Sequence, residues 1–326
     1  MRRGRLGALT RQTALGGLLL LGGRLSDLLG AKRIFSAGWL VLAAGSLAAG
    51  LADSIVVEIA ARAVQGAGAA LIAPSALALL MMLFGNEPKE LMKAFAIYGA
   101  AAPAGGTAGV FLGGVITEWI SWPWVYYINI PIALGVLAVV PSLMPNTSAR
   151  RGSIDFVGAL TATAGLALTV FGVVRAPEEG WASAATLVSL AGGVVLLGLF
   201  VLIQASRREP LMRLGIFRAP NLGAANLAQL LLGTAWIPMW FFLNLYLQQV
   251  LGYGAFTSGA ALLPMTETIM VLMVVVAPRV TARFGPKSPI VAGLFLLAVG
   301  MAVMSLVRPD GSFLVDVLPA SLIAAA

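Results

Sequence analysis

Apolar runs of roughly twenty residues, parted by short polar breaks, recur along this chain and leave it few ways to fold. They are Ile34 to Ala52, Ile55 to Leu83, Ala94 to Ile116, Val125 to Leu143, Ile154 to Val174, Ala184 to Ala205, Leu222 to Val250, Ser258 to Ala277 and Ile290 to Val307. A helix rises about 1.5 Å per residue, so about twenty residues cross the apolar layer of a bilayer. Inside that layer each backbone amide must be bonded within its own segment, which selects helices. Two shorter runs flank these nine: Ala14 to Leu21, which reaches only about 12 Å, and Phe313 to Ala326. The pattern predicts an all-α, polytopic membrane protein with nine full spans and two partial ones. Composition agrees, since 60% of the 326 residues are hydrophobic and 10% charged, too few to coat a water-soluble globule.

Cysteine and histidine are both missing. Disulfides, thiolate chemistry and imidazole zinc sites are therefore excluded, and no metal or cofactor is expected. Any group that handles protons must be a carboxylate or a perturbed lysine. The net charge of +8 does not point to nucleic acid, because the basic residues sit in short breaks and form no amphipathic stripe. Alternate breaks hold Arg24, Lys32, Arg33; Lys89, Lys93; Arg150, Arg151; Arg207, Arg208, Arg213, Arg218; and Arg279, Arg283, Lys287, whereas the intervening ones hold only Arg175 and Arg308. By the positive-inside rule the first group is cytoplasmic. The arginines of the leader MRRGRLGALTRQT would then lie outside, so this leader is not expected to be the natural N-terminus.

Between the first runs lies GRLSDLLGAKR, Gly23 to Arg33. Gly23 and Gly30 suit a tight turn between helix ends, Asp27 a helix N-terminus, and Lys32 with Arg33 a cytoplasmic loop. Setting Gly30 against Gly285 aligns GRLSDLLGAK with PRVTARFGPK, pairing Arg24 with Arg279 and Lys32 with Lys287. Read as GxxxDxxGxKR, the first turn resembles the signature loop between the second and third helices of the major facilitator superfamily, whose halves are parallel repeats. Eight spans separate the two turns where two directly joined six-helix halves would put six. The chain is thus similar to the fourteen-helix drug:proton antiporters of that superfamily.

The resemblance implies an N-terminal bundle over 1–145 with its first helix missing and its second partial. A linker and two inserted helices over 146–206 follow, then a C-terminal bundle over 207–326 lacking its last helices. It also implies that Asp27 latches a cytoplasmic gate toward a neighbouring helix.

Within the spans, Arg62, Gln65, Gly66 and Ala69 share one helical face. A guanidinium so far into a span must point at protein or a wet cavity. The run RxxQGxGAA matches the family's fourth-helix pattern, whose arginine is implicated in proton coupling; a structural alternative is a pair with Glu58, one turn earlier. Gly105, Gly109 and Gly113, followed by Gly114, form a strip that lets helices approach closely. It resembles the exporter motif GxxxGPxxGG, with Val110 at the proline position.

Trp122, Trp124, Tyr126 and Tyr127 read as interfacial anchors in a segment similar to WRWxFxINxP, with Pro123 in place of arginine. Asn226, Gln229, Trp236, Trp240 and Asn244 fall within about 80° of helix surface, as the lining of a substrate cavity, to which Gln65 is also assigned, or as interhelical packing. Glu267, the deepest carboxylate in any span, is a candidate proton carrier or a silent hydrogen-bonded acid.

The expected function is secondary active transport in the cell membrane: proton-coupled export of hydrophobic or cationic drugs or antibiotics by alternating access, as a monomer. The alternatives are a facilitator importing or exporting a metabolite, and a non-functional fragment, since the missing helices predict weak or no activity for the chain as written. Neither the coupling ion, proton or sodium, nor the substrate follows from the residues. An enzyme is not expected, because HExxH, GxSxG and paired intramembrane aspartates are absent from the sequence.

Overall fold

The reason these residues make helices in lipid is visible in what they bury. In a computed structural model describing residues 18–145, 155–207, 210–285, 287–308 and 311–326, large apolar side chains face outward and small or polar ones face inward. Val195 and Leu202 are each 67% exposed, while Ser46 and Ser75 are fully buried. Water would punish that inversion; a hydrocarbon solvent permits it, because there helices associate through close packing and polar contacts. Buried hydroxyls are satisfied locally: Ser26 donates to the Gly22 carbonyl at 2.8 Å and Thr161 to that of Val157 at 2.9 Å.

The helices are α1 (residues 18–29), α2 (Ala31–Gly50), α3 (Ile55–Phe84), α4 (Pro88–Trp119), α5 (Trp124–Leu143), α6 (Phe156–Glu179), α7 (Ala184–Ser206), α8 (Leu222–Gln249), α9 (Ala255–Phe284), α10 (Lys287–Met304) and α11 (Phe313–Ala325). Nine of them, α2 to α10, are long and apolar enough to cross a membrane, matching the nine runs of the sequence. No strand occurs among the described residues. Arg150, Arg151, Arg208 and the leader lie outside the described residues.

The chain forms two compact units, Met1–Met82 with Tyr126–Arg218, and Leu83–Val125 with Ala219–Ala326. In the first, α2 crosses α3 at glycines. A Cβ on Gly68 would sit 2.6 Å from the Leu42 amide nitrogen and 2.8 Å from the Gly38 carbonyl oxygen, and one on Gly45 would sit 2.8 Å from the Gln65 amide nitrogen. Only a missing side chain lets backbones meet like this. Helix α5 packs on α2 around Phe35, Leu79 and Val140. Helices α6 and α7 form a hairpin that packs closely at Gly165 and Gly193 and is joined through the Gly180 turn and the Ser183 cap, whose hydroxyl accepts from the Thr186 amide at 3.2 Å.

In the second unit, α4 lies along α9. The hydroxyls of Thr107 and Thr266 touch, Gly114 abuts the backbone of Ala255, and Phe111 and Trp119 each place a ring 5.3 Å from that of Phe256. Glu118 accepts from the Phe256 amide at 3.3 Å, a carboxylate at a helix N-terminus. Gly300 of α10 meets Ala324 of α11. Helix α9 contains one π-helical turn, Leu272–Val276.

Candidate functional site

The first turn of α5 brings an aromatic ring to the polar face of α3. Tyr126 is 7% exposed, donates its hydroxyl to Glu58 Oε1 at 3.0 Å, and lies with its ring centroid 4.7 Å from the guanidinium carbon of Arg62. One turn further along α3, Gln65 is 4% exposed and donates Nε2 to Ser46 Oγ of α2 at 2.7 Å. The remaining polar atoms nearby, Arg62 Nε and Gln65 Oε1, are buried without a hydrogen-bond partner. A cationic donor and an amide acceptor, three residues apart on one helix face, are both open inside a span. Such groups are costly in lipid unless used, which marks this face as a candidate functional site of the first unit.

The direct Glu58 to Arg62 pair expected as a structural alternative is replaced by this arrangement through Tyr126. Tyr126, expected at the interface as an anchor, is instead buried against α3. The available signal was chemical: in WRWxFxINxP the corresponding position is Phe, and here it carries a hydroxyl. Trp122 and Trp124 remain outward, as anchors would, while Tyr127 fits against Gly50.

The loop from Gly23 to Arg33 is arranged differently from its sequence expectation. Gly30 makes the turn with φ 94°, a conformation that disfavours any side chain, and Gly23 is inside α1. Asp27 accordingly lies in the last turn of α1 and not at a helix N-terminus. It is exposed, in a cleft of about 620 Å³ lined also by Gly23, Arg24, Pro74, Met81 and Arg213. Lys32 Nζ donates to the carbonyls of Pro141 and Met144, at 3.1 and 2.8 Å, thereby capping the C-terminal end of α5 where a cation is favoured. Arg33 is exposed. Gly285, the proposed repeat partner of Gly30, has φ 79° and likewise links the end of one helix to the start of the next.

In the second unit the glycine strip divides. A side-chain carbon on Gly105, Gly109 or Gly113 would meet nothing within 4 Å, whereas one on Gly114 would strike Ala255. The seam with α9 runs along Thr107, Phe111, Gly114 and Glu118, the neighbouring face. On α8, Trp236 and Trp240 pack against the core around Met239 and Leu243, with ring centroids 6.0 Å apart. Asn226 and Gln229 are exposed, Asn226 donating to the Leu222 carbonyl, and Asn244 accepts from Gln248. Both indoles are partly buried in this packing. Glu267 is exposed, beside the buried Thr266.

A second polar node has no counterpart in the sequence reading. Asp155, 2% exposed, caps α6 by accepting from the Gly158 amide at 2.9 Å and accepts from Gln204 Nε2 at 2.8 Å; Gln204 Oε1 accepts from the Met212 amide at 3.1 Å. The pattern of aspartate three residues before glycine at the start of an apolar run was the available cue.

The family model described as Major Facilitator Superfamily matches residues 10–326. The chain belongs to that superfamily. This facilitator is 41% identical over 315 residues to a cephamycin export protein of Amycolatopsis lactamdurans, covering 95% of this chain and 65% of the relative. It is 36% identical to a puromycin resistance protein of Streptomyces alboniger, covering 95% and 62%. To a tetracenomycin C resistance and export protein of Streptomyces glaucescens it is 33% identical, covering 90% and 54%. The facilitator chain therefore spans from about half to just under two thirds of the length of these relatives. It is a multi-pass membrane protein.

Proposed function

We propose that this facilitator is a secondary active transporter in the cell membrane that couples inward proton flow to export of hydrophobic or cationic drugs or antibiotics, by alternating access and as a monomer. Its basic breaks face the cytoplasm on this reading. The chain-order division into 1–145, 146–206 and 207–326 gives the repeat units and the inserted pair. The observation that carries the proposal is the half-buried face of Glu58, Arg62 and Gln65, an acid, a guanidinium and an amide on one helix with two buried polar atoms left open. Relatives whose names record export of, or resistance to, antibiotics support the direction and the substrate class. Proton coupling is assigned to Arg62 and Glu58, with Glu267 as a further candidate, and gating to the loop around Asp27 and Gly30. A substrate surface on the Asn226 to Asn244 face of α8 would use its exposed amides.

Ethidium efflux from a drug-sensitive bacterium expressing the full-length protein tests the proposal. Efflux should stop on adding an uncoupler, and Arg62→Ala should slow it by about tenfold or more, the loss of an essential charged contact. Efflux that continues at an unchanged rate with the proton gradient collapsed would exclude coupling.

A further inference from the structure

Glu58 and Arg62 are spaced to pair with each other, acid four residues before base on one helix, the favoured order for a direct ion pair. Among the described residues they do not form one. Each instead engages Tyr126, the carboxylate through the phenolic hydroxyl and the guanidinium through the ring face and the phenol group. Arg62 Nε keeps its hydrogen unused as a result. Tyr126 is held from behind, since Asn129 Nδ2 donates to its backbone carbonyl at 3.1 Å and Ala49 and Ala61 pack around it.

We propose that Tyr126 is a positioning residue that holds Glu58 and Arg62 apart and makes the state of one felt by the other. This rests on the proton-coupling reading given above and adds to it the part that links its two charges. The chemistry is directional. An ionised Glu58 accepts from the phenol; a protonated one has a hydrogen to donate and can reverse that bond, turning the phenol hydroxyl away. The phenol group is also engaged by the Arg62 side chain, so reversal of the Glu58 bond changes what the phenol oxygen offers the guanidinium, without any charge passing through Tyr126. Arg62 Nε and, one turn deeper, Gln65 Oε1 are the open partners toward which the change is directed. The ionisable groups at this corner are Glu58 and Arg62 from α3 and Tyr126 and Tyr127 from α5; α2, packed against both helices, presents Ser46, Ala49 and Gly50.

Tyr126→Phe isolates the idea, since it keeps the ring and removes only the hydroxyl. Two readouts on the full-length protein in lipid vesicles decide it. The first is modification of Glu58 by an apolar carbodiimide, followed by mass spectrometry and independent of transport. Loss of a donor to the carboxylate should speed labelling by about tenfold, the scale of one hydrogen bond to a charged group. The second is proton movement driven by ethidium, reported by an entrapped pH dye. It should fall by about fivefold in Tyr126→Phe and in Glu58→Gln, and no further in the double variant, because both break one contact.

Unchanged labelling in Tyr126→Phe overturns the inference. So does faster labelling with normal proton movement, provided Glu58→Gln lowers that movement; the coupling reading then stands without Tyr126. If Glu58→Gln and Arg62→Ala both leave proton movement as in the wild type, the coupling reading itself falls and the inference with it.

Discussion

Gly68→Leu should yield no monodisperse folded protein, whereas Gly109→Leu should yield as much as the wild type. At Gly68 the new Cβ would lie 2.6 Å from a backbone nitrogen and 2.8 Å from a carbonyl oxygen on α2. Neither atom belongs to a side chain that can swing aside, so the helices must separate. Separation also opens the Gly45 contact and stretches the Gln65 to Ser46 bond, all on the same seam. Forced overpacking costs about 1–3 kcal/mol where neighbours can adjust, and the cost here should be at the upper end or beyond. Domains with about 5–15 kcal/mol in total do not absorb that easily. At Gly109 a side-chain carbon would meet nothing within 4 Å. Detergent extraction followed by size-exclusion chromatography of fluorescent fusions compares the two directly. Equal elution profiles for the two variants would mean that α2 and α3 do not cross at Gly68.

The second large effect is at Asp155. Replacing it by Ala removes a helix cap, leaves Gln204 Nε2 buried without its acceptor, and takes from Arg207 a carboxylate at 3.7 Å. A lost cap costs about 1 kcal/mol and a stranded buried donor about 1–3 kcal/mol, so a total near 3 kcal/mol is expected. Asp155→Asn keeps an oxygen for the Gly158 amide but turns its NH2 toward the Gln204 Nε2 donor, and should lose about two thirds of that. Thermal unfolding in detergent should rank wild type above Asn above Ala. Gln204→Leu added to Asp155→Ala should cost less than the sum of the two, because the pair shares one contact. A ranking in which Ala equals wild type would show the node to be idle.

The spans were legible in the sequence because hydrocarbon imposes one rule on every segment that enters it, and α2 to α10 obey it. Ends were less so. Helix α4 begins at Pro88, ahead of the first apolar residues, because PKELMK continues the helix with its charges outside the apolar stretch; Lys93 and Glu90 even pair at 2.7 Å. Faces were the hardest. Gly105, Gly109 and Gly113 have the spacing of a packing strip, yet the tight crossing is made by Gly38, Gly45 and Gly68. In a chain with 38 glycines many strips are available, and only the partner helix decides which is used. Spacing put Arg62 and Gln65 on one face correctly. It could not supply Tyr126, which comes from another helix, nor the Asp155 node, whose members are 49 residues apart. The positive φ at Gly30 and at Gly285 is a backbone requirement between abutting helices that reads directly from a glycine in a polar break.

The wide turn at Leu272–Val276 has a consequence for how α9 tolerates change in length. A π turn holds one residue more than the α-helix around it needs, so it already separates the face bearing Thr266 from the face bearing Arg279 and Arg283 by an extra step. Deleting Val274 should let the turn relax to ordinary winding while both flanks keep their neighbours. The same deletion at Ile269, where the winding is regular and the side chain buried, would rotate everything after it by about 100°. In this span a shortened gene is survivable at one place and ruinous a turn away, and comparing the yields of the two deletions would show it.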